Sequence, residues 1–198
     1  MSADLLRFSR RAGAAPLVWR DGEAGGDFGD LLGAAVVALM SGKPLMRASV
    51  RAPTPRLAAS GSICQALSGG SVWAWGAGCA PRVGGARFSP DPRTDMHVLA
   101  ARGPLSAALL GGGRLATDVF ADPIALLPRF HRGPAKRRWR LGVAAPPPPK
   151  GRALPRRLSV PDDVALIHAG PASTVAQLRA TVEAVLDCER LLCLSAPA

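Results

Sequence analysis

Short apolar runs alternate along this chain with glycine-rich turns and with segments whose apolar residues recur at helical spacing. The clearest helical segment covers residues 30–40, where the apolar positions share one face: Leu31, Leu32, Ala35, Val36, Leu39 and Met40. Gly42 follows as a stop signal. A short apolar strand is predicted at residues 16–19, and the glycines between it and the helix allow a tight turn.

Further strands are predicted from short apolar runs that are bounded by turn residues, at residues 57–59, 72–75, 97–101 and 116–121. Between the last two, Pro104 is typical of the first turn of a helix, and the glycines at 111–113 end it. Strands that alternate with helices predict an α/β fold. We expect a Rossmann-like, mostly parallel sheet that is covered by helices on both faces.

A boundary between domains is predicted at residues 129–138, which are polar and basic and contain glycine and proline. We therefore predict a Rossmann-like N-terminal domain over residues 1–130, a basic linker over 131–138 and a partial second α/β domain over 139–198. Strands are expected in the second domain at residues 139–144, 164–168 and 190–195. So small a domain buries little apolar surface, so we expect it to dock on the first, to form a homo-dimer or to be loosely folded.

The formal net charge of +11 raises the question of a nucleic-acid partner. The excess is almost entirely arginine, since lysine occurs only at Lys43, Lys136 and Lys150, and tyrosine is absent. Because this bias is typical of GC-rich coding, we predict no specific nucleic-acid partner. The densest basic run, residues 136–140, is interpreted as a solvated linker.

The cysteines Cys64, Cys79, Cys188 and Cys193 contain no CxxC pair and have no histidine at ligand spacing. Neither a metal site nor a disulfide scaffold is predicted, and we interpret the four as buried thiols of a reduced compartment. No apolar run approaches the ~18 residues that cross a bilayer, so no transmembrane segment is predicted. These observations favour a cytoplasmic protein.

Four segments that follow one another along the chain carry a resemblance to a known family. Residues 27–32 (DFGDLL) are similar to the pattern Asn-Phe-Gly-Asp-x-Leu, with Asp27 in place of the asparagine. The other three segments are 71–78 (SVWAWGAG), 98–106 (VLAARGPLS) and 121–128 (ADPIALLP). In sequence and order they resemble the motifs of the polysaccharide pyruvyl transferase family.

The resemblance implies an enzyme that transfers a pyruvyl group from phosphoenolpyruvate to sugar hydroxyls as a cyclic ketal, in the synthesis of exopolysaccharide or another cell-surface polysaccharide. The acceptor would be a sugar or a lipid-linked oligosaccharide, and no cofactor is expected besides the donor substrate. The family has two Rossmann-like domains of the glycosyltransferase-B type, of which this chain would hold the first and the opening of the second. The alternative is a non-catalytic remnant that binds a sugar, a nucleotide or a partner protein.

Pyruvyl transfer needs cations for a phosphate and a carboxylate, an acid for the enol carbon and a base for the hydroxyl. The candidate substrate-binding residues are Asp27, Gly29, Asp30, Gly76, Arg102 and Asp122. Arg102 follows a predicted strand and precedes a helix, which indicates the carboxyl edge of the sheet, where α/β sheets bind ligands. No residue is assigned as catalytic, and no metal ligand is predicted.

Each candidate also has a structural interpretation. Arg102 could form an ion pair with a neighbouring carboxylate such as Asp122, and Asp122 before proline is a common turn former. Asp27 or Asp30 could cap the helix that follows. Gly76 allows a close approach of the backbone, which a tight turn alone would require.

Overall fold

The computed structural model describes residues 13–19, 28–79, 82–83, 86–145, 161–168 and 175–194. The chain forms two compact units, Met1–Phe130 and His131–Ala198. Each unit is built on its own parallel sheet. The predicted α/β class is therefore confirmed.

The first unit contains a five-stranded sheet, two helices and a small hairpin. The sheet strands are β1 (Ala15–Val18), β2 (Leu45–Arg47), β3 (Arg56–Ala59), β4 (Gly70–Trp75) and β7 (Thr94–Ala100), and the antiparallel hairpin consists of β5 (Arg82–Val83) and β6 (Ala86–Arg87). The helices are α1 (Phe28–Ser41) and α2 (Pro104–Leu110). The described part of the unit also contains two 3₁₀ segments, Cys64–Ala66 and Pro123–Arg129.

The strand order in this sheet is β2-β1-β3-β4-β7, and every neighbouring pair is parallel. From β1 the chain passes to β2 on one side and then returns to β3 on the other. Such a reversal opens a crevice at the carboxyl ends of β1 and β3. The predicted strand at residues 116–121 is wrong, because only a single bridge between Ala101 and Phe120 forms there.

Helix α1 covers one face of the sheet with its small and branched residues. Because side chains alternate along a strand, Leu17 and Trp19 pack under α1 beside Ala34 and Val37, whereas Val18 packs on the opposite face. On that second face Ile63, Cys64 and Leu110 join Val18, Ala58 and Val72 in a separate core. Gly42, at φ +61°, ends α1, and its N–H donates to the Ala38 carbonyl.

A buried arginine organises the amino ends of the strands. Arg56 is 1% exposed, and its guanidinium donates to the carbonyls of Ala52, Val50 (2.7 Å) and Ser68 (3.2 Å). Burial lowers the pKa of this guanidinium from its ordinary value. The pattern of residues 57–59 predicted the strand but not this cation, which ties together the loops that precede β3 and β4.

The second unit holds three parallel strands in the order β10-β8-β9, with β8 at Trp139–Ala145, β9 at Val164–His168 and β10 at Cys188–Cys193. Helix α3 (Val175–Leu186) buries Leu178 and Val182. Strand β10 begins two residues earlier than the predicted 190–195, because the chain turns at Asp187 directly out of α3. Residues 131–138, which we predicted as a linker, belong to this unit, and Arg137 donates to the carbonyl of Leu186.

Candidate functional site

A cavity of about 450 Å³ lies at the carboxyl edge of the five-stranded sheet. Four separate segments of the chain line it. They are the first turn of α1, the loop after β3, the turn after β7 and the start of the 3₁₀ helix Pro123–Arg129. The lining residues are Gly29, Asp30, Ser60, Gly61, Ser62, Arg102, Asp122 and Ile124. Since the chain leaves β1 towards β2 and leaves β3 towards β4, on opposite sides, the cavity coincides with the crevice that the strand order creates.

Arg102 is the cation of this cavity. Its Nη1 donates to Ser62 Oγ at 2.9 Å, and its Nε lies 3.6 Å from Asp122 Oδ2. The side chain remains 38% exposed, so part of the guanidinium is open to a ligand. A planar guanidinium with free N–H groups suits the two-bond recognition of a carboxylate or a phosphate.

Asp122 is held on both of its carboxylate oxygens. Oδ1 accepts a bond from the Ile124 N–H at 3.0 Å and so caps the 3₁₀ helix Pro123–Arg129, while Oδ2 accepts from Ser60 Oγ at 3.3 Å. The Ala101 N–H donates to the Val119 carbonyl and the Ala121 N–H donates to the Ala101 carbonyl, so Asp122 lies close to the end of β7. Asp122 and Arg102 therefore have the structural roles of turn former and ion pair, and both residues also line the cavity.

Asp30 reaches the cavity from the first turn of α1. The helix begins at Phe28, two residues before the predicted start, so Asp30 lies inside its first turn and is not its N-cap. A carboxylate in this position is stabilised by the positive end of the helix dipole. The side chain is buried and lies against Gly61, where any Cβ would collide with Asp30 Oδ1.

The loop after β3 requires an unusual backbone. Ser60 has φ +62° and Gly61 φ +70°, both in the left-handed region. For a serine this conformation costs about 1 kcal/mol or more. It turns the Ser60 hydroxyl towards Asp122 and leaves Ser62 facing Arg102.

Two glycines allow other groups to approach the β4 turn. A Cβ on Gly78 would lie 3.1 Å from the Arg102 Cζ, so the guanidinium lies directly against this backbone. Gly76, at φ +79°, leaves no room for a Cβ because Pro123 and the Ala121 carbonyl pack against it. Gly76 thus holds the 3₁₀ helix in place, and it is not among the residues that line the cavity.

The structure brings together four of the six predicted substrate-binding residues: Gly29, Asp30, Arg102 and Asp122. Gly76 lies behind them, and Asp27 falls outside the described residues. Sequence reasoning missed Ser60, Gly61 and Ser62 as parts of the site. The signal was available, because a run of small residues directly after a predicted strand is typical of a ligand-binding loop at a sheet edge.

A larger cavity, of about 790 Å³, lies at the opposite edge, where the strands begin. Its charged groups are Arg51, Asp91 and Arg93, of which Asp91 accepts bonds from Arg93 (2.8 Å) and Ser68 (2.6 Å). The bonds from Arg93 and Ser68 hold the pKa of Asp91 well below its usual range. These bonds close a turn, so we place the candidate site at the carboxyl edge despite the smaller volume there.

Among the described residues, no group of three or more histidine, cysteine, aspartate and glutamate side chains could hold a metal ion. Within the same part of the chain, no helix is long and apolar enough to cross a membrane. The prediction of buried cysteines is correct for Cys64 and Cys188, whereas Cys79 is partly accessible and Cys193 is exposed.

Comparisons with known proteins assign no family. No protein-family model matches the chain, and neither a curated protein nor a solved structure matches it. A functional proposal must therefore start from the chemistry of the cavity.

Proposed function

We propose that the first unit binds phosphoenolpyruvate in the carboxyl-edge cavity and that the protein is a polysaccharide pyruvyl transferase-like enzyme. The observation that carries the proposal is Arg102, a half-open guanidinium oriented by Ser62 at the sheet edge where α/β proteins bind ligands. The motif resemblance of residues 27–32 and 98–106 includes Asp30 and Arg102. The site and the resemblance thus coincide.

The proposal includes a Rossmann-like domain of the glycosyltransferase-B type for the first unit. Its strand order follows the doubly wound pattern 2-1-3-4-5, in which ligands lie outside the carboxyl ends of the strands where the order reverses. The parallel sheet of the second unit is compatible with the opening of a second such domain.

In the proposed reaction, two hydroxyls of the acceptor sugar form bonds to C2 of phosphoenolpyruvate. One hydroxyl proton is transferred to C3, which becomes a methyl group. The bond between C2 and the phosphate ester oxygen breaks, and the other hydroxyl proton leaves with inorganic phosphate. Arg102 would hold the phosphate or the carboxylate of the donor through paired N–H bonds. The acceptor would be a sugar or a lipid-linked oligosaccharide.

A second candidate function is a non-catalytic domain that binds a sugar or a nucleotide. The charge of the cavity favours it, because among the described lining residues the carboxylates of Asp30 and Asp122 outnumber the guanidinium of Arg102. Carboxylates accept hydrogen bonds from neutral hydroxyls but repel an anionic donor. The two functions therefore differ in the ligand charge that the cavity prefers.

Calorimetric titration of the full chain with phosphoenolpyruvate, with inorganic phosphate and with neutral sugars tests the choice. We expect phosphoenolpyruvate to bind and Arg102→Met to weaken it at least about tenfold, since charge-assisted bonds are lost. Arg114→Met is the matched control, because Arg114 is exposed and does not line the cavity. Unchanged affinity in Arg102→Met would overturn the donor site, and binding of neutral sugars alone would favour the second function.

Turnover is tested by the release of inorganic phosphate from phosphoenolpyruvate in the presence of an acceptor sugar, with mass analysis for the ketal. Phosphate release that depends on both acceptor and Arg102 is the expected result. Donor binding without any release would leave a binding domain and overturn the enzyme.

The proposal extends to location and assembly. A cytoplasmic location goes with the donor, since phosphoenolpyruvate is a cytoplasmic metabolite. A homo-dimer through the second unit is supported by an apolar row across its sheet, in which Leu166 and Leu192 both pair with Val143 and are 43% and 50% exposed. Light scattering with Leu192→Lys tests it: loss of a dimer is expected, and a wild-type monomer at high concentration would contradict it.

A further inference from the structure

Two cysteines meet directly behind Arg102, on loops that the backbone ties together. The Cys64 N–H donates to the Gly78 carbonyl at 3.2 Å, and the Gly78 N–H donates to the Gly61 carbonyl at 2.9 Å. Because Cys79 follows Gly78 directly, this pairing brings Cys64 and Cys79 side by side although they lie on different loops. The Ser106 hydroxyl accepts a bond from the Cys79 N–H at 3.2 Å and fixes the second loop.

The two cysteines are neighbours that differ in their access to solvent. Cys64 is 2% exposed and lies in the core cluster beneath the sheet, while Cys79 packs against the same cluster and is partly accessible. The thiol of Cys64 donates a hydrogen bond to Cys79, which raises the pKa of Cys64 and lowers that of Cys79. The charge of Arg102 also lowers the pKa of Cys79.

We propose that Cys64 and Cys79 form a redox-active dithiol, in which Cys79 reacts with a peroxide-class oxidant and Cys64 resolves the product to a disulfide. The packing of Cys79 against the core cluster that contains Cys64, the hydrogen bonds between their loops and the unequal exposure carry the assignment. A partly accessible cysteine beside a cation and a resolving thiol is the arrangement of redox-sensing cysteines.

The chemistry balances in two steps. The Cys79 thiolate attacks one oxygen of hydrogen peroxide, so that an S–O bond forms, the O–O bond breaks and hydroxide leaves. The Cys64 sulfur then attacks the Cys79 sulfenic acid, the S–S bond forms, and the S–O bond breaks with loss of water that takes up the Cys64 proton. The thiols lose two electrons, the peroxide gains them, and an added dithiol reverses the change.

The remaining cysteines serve as internal references. Cys188 is buried, its thiol donates to the Ala184 carbonyl at 3.3 Å, and burial raises its pKa. Cys193 is exposed and can react with peroxide or with another chain. We therefore expect fast chemistry at Cys79, slow chemistry at Cys188 and intermolecular chemistry at Cys193.

The test uses the full reduced chain with Cys193→Ser as background, which removes the exposed thiol. The protein is treated with hydrogen peroxide near stoichiometry, blocked with N-ethylmaleimide and analysed by intact mass and by non-reducing peptide mapping. We expect the loss of two hydrogen atoms, a peptide pair linked through Cys64 and Cys79, and full reversal by dithiothreitol. Cys188 should react with the maleimide only after denaturation.

Single substitutions separate the two roles. In Cys64→Ser, Cys79 should accumulate as a sulfenic acid that dimedone traps, whereas in Cys79→Ser the Cys64 thiol should stay reduced. If either variant fails to fold, the mapped disulfide in the Cys193→Ser protein still decides. The proposal is overturned if that protein yields no Cys64–Cys79 link, if Cys79 is driven to sulfinic acid instead, or if Cys64 oxidises equally well without Cys79.

Discussion

The two ends of the five-stranded sheet each hold an arginine, and the two arginines are held in different ways. At the amino edge, Arg56 is 1% exposed, and backbone carbonyls from two loops accept hydrogen bonds from both of its terminal nitrogens. At the carboxyl edge, the polar partners of Arg102 among the described residues are a serine hydroxyl and a carboxylate, and 38% of its side chain is exposed.

The number of occupied donors separates an arginine that stabilises loops from one that is available to a ligand. A guanidinium whose donors are used by carbonyls stabilises the loops that supply them and has little left for a ligand. A guanidinium that is oriented by a few side chains and open on one side is preorganised for an anion. Cavity volume alone would favour the amino edge, where the larger cavity lies, and not the edge that holds the more accessible guanidinium.

The largest effect is expected for Arg56→Met. It leaves the carbonyls of Ala52, Val50 and Ser68 without their charged donor, so we expect the free energy of unfolding to fall by about 3 kcal/mol or more. Urea unfolding measures it, with Arg93→Met as the control, since Arg93 is exposed and solvent screens its pair with Asp91. A loss of less than about 1 kcal/mol in Arg56→Met would remove the structural half of the comparison.

The next effect is expected for Gly76→Ala, which tests whether the carboxyl edge also depends on close packing. The added Cβ combines a left-handed backbone with a collision against Pro123, so we expect a loss of about 2 kcal/mol or more. Gly112→Ala is the matched control, because Gly112 has φ +65° and open space around it. The losses in free energy of unfolding of the two variants, measured by thermal or urea unfolding, should differ by the cost of the collision with Pro123. Equal losses would show that the 3₁₀ helix does not pack closely against Gly76.

A smaller effect is expected at Ser60, whose left-handed backbone shapes the site loop. Ser60→Ala loses the bond to Asp122 and keeps the backbone strain, whereas Ser60→Gly loses the bond but relieves the strain. We therefore expect Ser60→Gly to be the more stable variant by about 1 kcal/mol in urea unfolding. The opposite order would mean that Ser60 does not hold this conformation in solution.

The smallest change in stability, under about 1 kcal/mol, is expected for Asp122→Asn, because its pair with Arg102 is partly exposed. The amide keeps an oxygen for the Ile124 N–H, while the loss of charge frees Arg102 for an anion. The affinity for phosphoenolpyruvate should therefore rise several-fold in calorimetry. A fall in affinity together with a large loss of stability would make the Arg102–Asp122 pair structural, like the contacts of Arg56.

Local patterns were sufficient for much of the first unit. The apolar spacing of residues 30–40 predicted α1, and the short runs at 57–59, 72–75 and 97–101 predicted β3, β4 and β7 to within a few residues. The predicted strand at 116–121 does not form because this segment pairs with the end of β7 through one bridge, between Ala101 and Phe120, and no further strand pairing follows. The three-residue strand β2 was missed because so short a run has no readable alternation.

The amino-acid pattern alone was enough to predict the α/β class, the positions of the main helices and strands, and Arg102 at the end of a strand, since these depend on periodicity and on turn-forming residues. Only the tertiary structure decided which loops meet. Asp30, Ser60, Arg102 and Asp122 come from four connections, and Cys64 meets Cys79 through hydrogen bonds between loops. The burial of Arg56 is likewise a property of the fold, because its carbonyl partners acquire their direction only when the loops close around it.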